Sequence, residues 1–347
     1  MLNIKVLPAR CGDSLLVTFG EEGDLKHILI DGGTGPVYKD VLKNEVSKIR
    51  EAGESLDLVV VTHSHEDHAY GIVRLMEDAQ NSQIVKKVWF NSGVEYGADG
   101  LSLLPETTDS LKVSYRVTKS LEELILSKDM VWNHKQPIEV GEVLSCHGAK
   151  LTVLSPNRKG VEKFQAFIEK KEKDLEELKG KKVSHTTDYH IPIDGFDLDD
   201  FKEDGRVENG ASIAFMFEYD AKKILFMGDA FPSVVADGLK ETGFVNDGER
   251  VEVDYLKLSH HAGRGNLSDE LLNLITCSNY IASTQGCNGR PSKETFARIF
   301  RNRGSMNLYF NYKNKVTTAI FTEEELRQNP NIELIYLSEK NYTIGVN

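Results

Sequence analysis

The chain is poor in cysteine, tryptophan, proline and net positive charge, and it has no long apolar run. Its four cysteines, Cys11, Cys146, Cys277 and Cys287, include no CxxC pair and fall far below the density of a secreted disulfide scaffold. All four are therefore expected to be reduced and mostly buried. No stretch approaches 18 uncharged apolar residues, so no membrane span is expected. The opening residues lack a basic segment followed by a long apolar core, which places the expected location in the cytoplasm. Forty-two Lys and Arg against 54 Asp and Glu leave a net charge of −12. That charge repels polyanions at long range, so any contact with nucleic acid has to be local. With nine prolines and 40% hydrophobic residues in 347, collagen-like and disordered architectures are excluded and a large core is available.

What is present is an alternation of short apolar runs with helical periodicity. Residues 3–7, 14–19 and 27–31 read as neighbouring strands, and residues 38–52 carry Val41, Leu42, Val46 and Ile49 at helical spacing before Gly53. A fully apolar strand, 58–61, follows. Further strands are expected at 150–154, 253–258 and 280–283, with an antiparallel pair, 212–217 and 223–227, around Tyr219-Asp220. Helices are expected at 119–127, 269–276 and 292–303, and short edge strands at 335–337 and 342–346. The reading is one α/β domain over 1–347. Residues 157–208 are an insertion: an amphipathic helix with Val161, Phe164, Ile168, Leu175 and Leu178 on one stripe, then an acidic loop. The stripe, over 160–179, either packs on the body or docks a protein partner or second subunit.

The chemistry gathers after the apolar strand, in Thr62-His63-Ser64-His65-Glu66-Asp67-His68. In an extended loop His63 and His65 point to the same side and can reach one cation, while Asp67 and His68, turning into a helix, can face another. Three histidines and an aspartate within six residues are rarely a solvated loop. Two candidates at later strand ends complete the set: Asp229 after Ile224-Leu225-Phe226-Met227-Gly228, and His260 after Leu256-Lys257-Leu258-Ser259.

His63-x-His65-x-Asp67-His68, Gly228-Asp229 and His260 resemble the metal-binding motifs of the metallo-β-lactamase superfamily, and Asp31 in Leu29-Ile30-Asp31-Gly32-Gly33 resembles its early aspartate. Within it the chain is most similar to the metallo-hydrolase domain of the ComEC competence protein and its free-standing bacterial relatives. The carriers are Gly12-Asp13-Ser14, the run LTVLSP from Leu151, Asn209-Gly210-Ala211-Ser212, and LKLSHH from Leu256. The resemblance implies a four-layer αββα sandwich holding two divalent ions, Zn²⁺ or Mn²⁺, at one edge. His63 and His65 would hold the first ion and Asp67, His68 and His260 the second, with Asp229 bridging and Asp31 orienting a ligand histidine from behind.

The chain departs from the superfamily pattern where a further histidine serves the first metal, because Glu208-Asn209-Gly210-Ala211 precede Ser212 with no histidine among them. Glu208 or Asn209 could supply an oxygen, favouring a harder ion such as Mn²⁺, or Asn209 could act from behind a ligand. Alternatively His185 or His190 could fold in from the acidic insertion. A second departure is Arg290 before Pro291, where the ComEC-like pattern tends to have a histidine.

Two adjacent divalent ions lower the pKa of a water and stabilise charge on the scissile oxygen, so hydrolysis by a metal-activated hydroxide is the expected reaction. Asp67 would orient the nucleophile or take its proton, and His261 is a candidate proton donor or a partner to a ligand. Arg290, Lys293, Arg298, Arg301 and Arg303 form a basic run, of which Arg290 and Lys293 are the candidate contacts for a substrate phosphate. The ComEC-like resemblance implies a phosphodiesterase or nuclease acting on nucleic acid or nucleotides, of a kind often found beside bacterial anti-phage defence genes. The alternatives are a hydrolase of a small ester, thioester or lactone, and a non-catalytic or partner-activated subunit of a larger complex.

Overall fold

A computed structural model describes residues 1–93, 110–128, 130–133, 136–173 and 187–346. Two mixed sheets lie face to face. The first runs in the order Thr343–Gly345, Leu2–Val6, Leu15–Glu21, Asp24–Ile30, Leu56–Val61, Lys87–Phe90, Val131–Trp132. The second runs Ile332–Tyr336, Met306–Phe310, Asn279–Ala282, Tyr255–Lys257, Lys222–Phe226, Ala214–Tyr219, Ala149–Ser155, Val143–Cys146.

The side-chain alternation of a strand explains the layers. Leu58 and Val60 face the other sheet and meet Phe215, Phe217, Ile224 and Phe226 in the central core. Val59 and Val61, on the opposite face, are covered by Ile72, Val73 and Met76 of the helix Glu66–Glu77 and by Leu121 and Ile125 of the helix Ser110–Ser127. Because both faces are covered, every residue of the strand Leu56–Val61 is buried, and apart from Asp57 the run is apolar. The second sheet repeats this outward, with Leu225, Leu256 and Leu308 under Leu239, Leu271, Phe296 and Ile299. The result is the expected αββα sandwich.

Most expected elements are present with shifted ends, and the pair Ala214–Tyr219 and Lys222–Phe226 is antiparallel. Both tail segments are edge strands: Thr343–Gly345 pairs with Leu2–Val6, and Ile332–Tyr336 with Met306–Phe310. The helix Arg158–Lys173 buries Val161, Phe164 and Ile168, the last two against Ala211 of its own chain. Leu175, Leu178 and His185 lie outside the described residues. No described helix is long and apolar enough to cross a membrane.

One expectation is overturned outright. Cys11 and Cys287 are not reduced thiols but a disulfide, 276 residues apart in sequence, tying the first loop of one sheet to a loop of the other. Count and spacing hid this because neither cysteine has a neighbour in sequence. Cys146 and Cys277 are free.

Candidate metal centre

The parallel strands of both sheets point their carboxyl ends at one edge, and the candidate residues gather there. Asp31 follows Asp24–Ile30, the histidine loop follows Leu56–Val61, Asp229 follows Lys222–Phe226, and His260 follows Tyr255–Lys257. Two glycines permit the close packing around the loop. A Cβ on Gly71, in the helix Glu66–Glu77, would lie 1.8 Å from the Gly32 carbonyl, and one on Gly12 would lie 1.6 Å from the Asp67 carbonyl.

Asp229 is the hub. Its Oδ2 lies 3.6 Å from His63 Nε2 and 3.6 Å from His260 Nε2, and its Oδ1 lies 3.4 Å from His68 Nε2. His65 Nδ1 meets His63 Nε2 at 2.9 Å. On the other side His261 Nε2 lies 3.6 Å from Asp67 Oδ2. His260 therefore faces the His63 side of Asp229, and it is His261 that faces Asp67.

Most of these rings are fixed by what lies behind them. Asp31 accepts from the Thr62 backbone N–H at 2.8 Å, from Thr62 Oγ1 at 2.7 Å and from His68 Nδ1 at 2.7 Å. Thr62 Oγ1 has its proton on Asp31, so it accepts from His63 Nδ1 at 3.1 Å. His260 Nδ1 lies 3.0 Å from Asp204 Oδ2 and 3.0 Å from Asn266 Oδ1, and Asn209 Nδ2 donates to the same Asp204 oxygen at 2.7 Å. His261 Nδ1 donates to the Ser283 carbonyl at 2.9 Å. With Nδ1 committed to these partners, His63, His68, His260 and His261 all turn Nε2 inward, the ring orientation in which a bound ion would find its lone pair.

The residues fit divalent ions. A zinc-like ion sits about 2.0–2.2 Å from its ligands, which puts neighbouring donors roughly 3–3.6 Å apart, as here. The buried atoms His68 Nε2, His261 Nε2 and Asp229 Oδ1 have no hydrogen-bond partner among the described residues, an arrangement that costs free energy unless a ligand satisfies it. The ligand atoms of His63, His68 and Asp229 lie within 4.8 Å of one another, and so do those of Asp13, His68 and His261. Asp13 is better explained as the partner of Lys257, a fully buried lysine whose ammonium bonds Asp13 Oδ2 and the Gly228 carbonyl. Burial opposes ionisation of Asp13, but Lys257 and His261 outweigh it and hold its pKa down at about 2.

The same balance runs through the centre. Burial alone would neutralise Asp229, yet His68, His260 and His63 hold it well below the usual carboxylate range. Burial likewise opposes the Asp67 charge, and the neighbouring imidazoles of His261 and His68 keep its pKa far below normal. Burial pushes His63 well below its ordinary pKa, with His68 adding to the shift.

A cavity of about 650 Å³ opens beside His260, lined in part by Arg206, Arg264, Arg290, Asp200, Glu203 and Glu294. Arg290 belongs to this mouth, where the field of Asp229 and Asp67 reaches it and burial lowers its pKa. Among the described residues no carboxylate lies within ion-pairing distance of Arg290. The rest of the basic run does not face a substrate. Lys293, expected to bind phosphate, is buried and pairs with Glu325 at 2.6 Å. Arg298 is buried against Asp269 and the Leu198 carbonyl, Arg301 pairs with Asp199 and Asp269, and Arg303 bonds the carbonyls of Leu272 and Ile275. These cations were needed to satisfy neighbouring acids and helix ends, a demand that a count of charges does not reveal.

Of the substitutes for the absent histidine, Glu208 is buried and near enough for its charge to oppose the lowering of the His65 pKa by burial, Asn209 stands behind His260, and His190 is exposed. Sequence reasoning gave no role to Asp204, Asn266 or the Asp13–Lys257 pair. Lys257 carried a signal, since a lysine inside an apolar strand has to find a buried acid; Asp204 was hidden in a run of acids.

Residues 12–284 match the metallo-beta-lactamase superfamily, and the chain belongs to it. Its fold is that of the superfamily's metal-dependent hydrolases, so divalent metal binding is expected. Among solved structures it is similar to the metallo-beta-lactamase fold protein YhfI from Bacillus subtilis (11% identity, 96% of this chain and 95% of that one, TM-score 0.40). It is also similar to Zn²⁺-bound PqqB from Methylobacterium extorquens (11% identity, 99% and 100%, TM-score 0.42). A third similar structure is CmlA, a diiron beta-hydroxylase from Streptomyces venezuelae (11% identity, 96% and 53%, TM-score 0.40). No curated protein matches the chain.

Proposed function

We propose that the protein is a two-metal phosphodiesterase, of the ComEC-like kind its motifs resemble, acting on nucleotides or on nucleic acid that enters end-on. The observation that carries this reading is Arg290, a cation without a carboxylate partner among the described residues, placed in the cavity mouth beside the Asp229 and Asp67 cluster. An arginine there matches a phosphate by bidentate hydrogen bonds. The acidic wall, with Asp197, Asp200 and Glu203, repels a long polyanion lying across the mouth and favours a short or single-ended one.

Divalent ions held by the histidines and Asp229 would supply the nucleophile by lowering the pKa of a water and would polarise the phosphoryl oxygen. The protein's own part is orientation. Asp67, whose carboxylate stands 3.6 Å from His261 Nε2, would orient the nucleophile or take its proton. Arg290 holds a non-bridging oxygen and places the phosphorus.

The test is hydrolysis of bis(p-nitrophenyl) phosphate by the purified chain with Mn²⁺ or Zn²⁺, beside Asp229→Ala and Arg290→Ala. The expected result is turnover abolished in the first variant and kcat/KM lowered about tenfold or more in the second. A folded, metal-loaded protein that ignores phosphodiesters but cleaves p-nitrophenyl acetate or a lactone would replace this reading with the carbonyl-ester one. A loaded protein inert to both would favour the partner-activated subunit. A role in anti-phage defence rests on the resemblance alone.

A further inference from the structure

We infer that the consecutive histidines His260 and His261 are divided between the two ions, so that His260 fills the position left by the missing third histidine and His261 completes the other site. The inference rests on the two-metal reading above and is independent of the phosphodiester substrate.

The backbone makes the division possible. His260, His261 and Ala262 have φ of 49°, 56° and 62°, three successive left-handed residues of which none is glycine. Side chains disfavour this conformation, and a run of such residues persists only where surrounding bonds impose it. Those bonds are present. The His260 N–H donates to the Gly228 carbonyl at 3.0 Å, Ser259 Oγ to the Ala230 carbonyl at 2.8 Å, and the Ala262 carbonyl accepts from the Ser292 N–H at 2.9 Å and Thr295 Oγ1 at 3.1 Å. In this conformation neighbouring side chains diverge. His260 Nε2 goes to the Asp229 oxygen that His63 also faces, whereas His261 Nε2 goes to Asp67.

Each ring also has its own support. Asp204 and Asn266 hold His260 Nδ1, and the Ser283 carbonyl, with Asp13 Oδ1 at 3.4 Å, holds His261 Nδ1. A histidine serving only as a hydrogen-bonded neighbour of His260 would not need a buried, partnerless Nε2 aimed at the Asp67 carboxylate. One site then consists of His63, His65, His260 and Asp229 Oδ2, and the other of Asp67, His68, His261 and Asp229 Oδ1. Both have four protein donors. The absent histidine leaves no gap, and neither Glu208 nor Asn209 is required as a ligand.

The test counts ions rather than turnover. Apo protein is reloaded with Co²⁺ or Zn²⁺, dialysed, and its metal content measured, with folding checked by circular dichroism. Wild type is expected to keep two ions, and His260→Gln and His261→Gln one each. The pairing decides the assignment. His63→Gln/His260→Gln and His68→Gln/His261→Gln should each still keep one ion, because both changes fall in one site. His68→Gln/His260→Gln and His63→Gln/His261→Gln should keep none. Two ions retained in His261→Gln, or one ion retained in His68→Gln/His260→Gln, would overturn the division, as would a wild type that binds a single ion. Should a double variant fail to fold, the Co²⁺ absorption bands of the two single variants serve instead. They should differ from each other and sum to the wild-type spectrum, and identical spectra would refute the proposal. Loss of phosphodiesterase activity with ion counts as expected would fail the substrate reading and leave this one standing.

Discussion

Asp31 touches no position from which it could hold an ion, yet it accepts three hydrogen bonds that fix His68 directly and His63 through Thr62. Replacing it leaves His68 free to rotate and to change tautomer, so Asp31→Ala should weaken metal affinity about 10- to 100-fold. A chelator-competition titration measures this, and unchanged affinity would mean that burial alone holds the rings. At this scale the legible residues were those that carry their chemistry in sequence. The run from His63 to His68 announces itself because three imidazoles beside an aspartate serve little else. Asp204 and Lys257 were not legible as site residues, since what each does depends on a partner brought near only by folding: His260 for one and Asp13 for the other. Lys293 misled for the same reason, its charge being spent on Glu325.

Among the elements, the strand Leu56–Val61 was readable because a strand covered on both faces shows as a short apolar run, and the helix Glu66–Glu77 because its buried residues recur at helical spacing. The strands Lys87–Phe90, Val143–Cys146 and Met306–Phe310 were not. They are short, and their identity comes from the ladders they complete rather than from their own pattern. The helix Arg158–Lys173 was readable as amphipathic, but the target of its stripe was not. Phe164 and Ile168 pack beside Gly93 and against Ala211, close behind the loop that carries Glu208 and Asn209. The helix thus supports the floor of the metal edge. Phe164→Ala should destabilise the protein by about 3 kcal/mol in a denaturant titration, in line with truncation of a buried phenylalanine. A loss below about 0.5 kcal/mol would show that the stripe is held for a partner instead.

Taken as one molecule, the protein joins two sheets whose common edge has too many like groups to be comfortable alone. The first sheet supplies His63, His65, Asp67 and His68, and the second supplies Asp229, His260 and His261. The Cys11–Cys287 disulfide and the Asp13–Lys257 pair cross between the halves at this same edge. Ions bound here therefore hold the halves together, and they bind the folded state only, since no other state brings the two ligand groups into register. Linkage then fixes the effect: at a free-ion concentration a hundredfold above Kd, each site adds about 2.7 kcal/mol. For a chain of this length, an unfolding entropy of about 2 cal/mol/K per residue converts that to roughly 3–4 °C per ion. Metal removal by chelation should lower Tm by about 7 °C when both sites are emptied, and reloading with Zn²⁺ should restore it, as scanning calorimetry would record. Asp229→Ala, which removes the carboxylate both sites share, should abolish the response to metal altogether. A Tm that ignores chelation in a protein shown to have lost its ions would mean that the disulfide and the sheets alone hold the edge closed, and that the ions contribute chemistry without contributing cohesion.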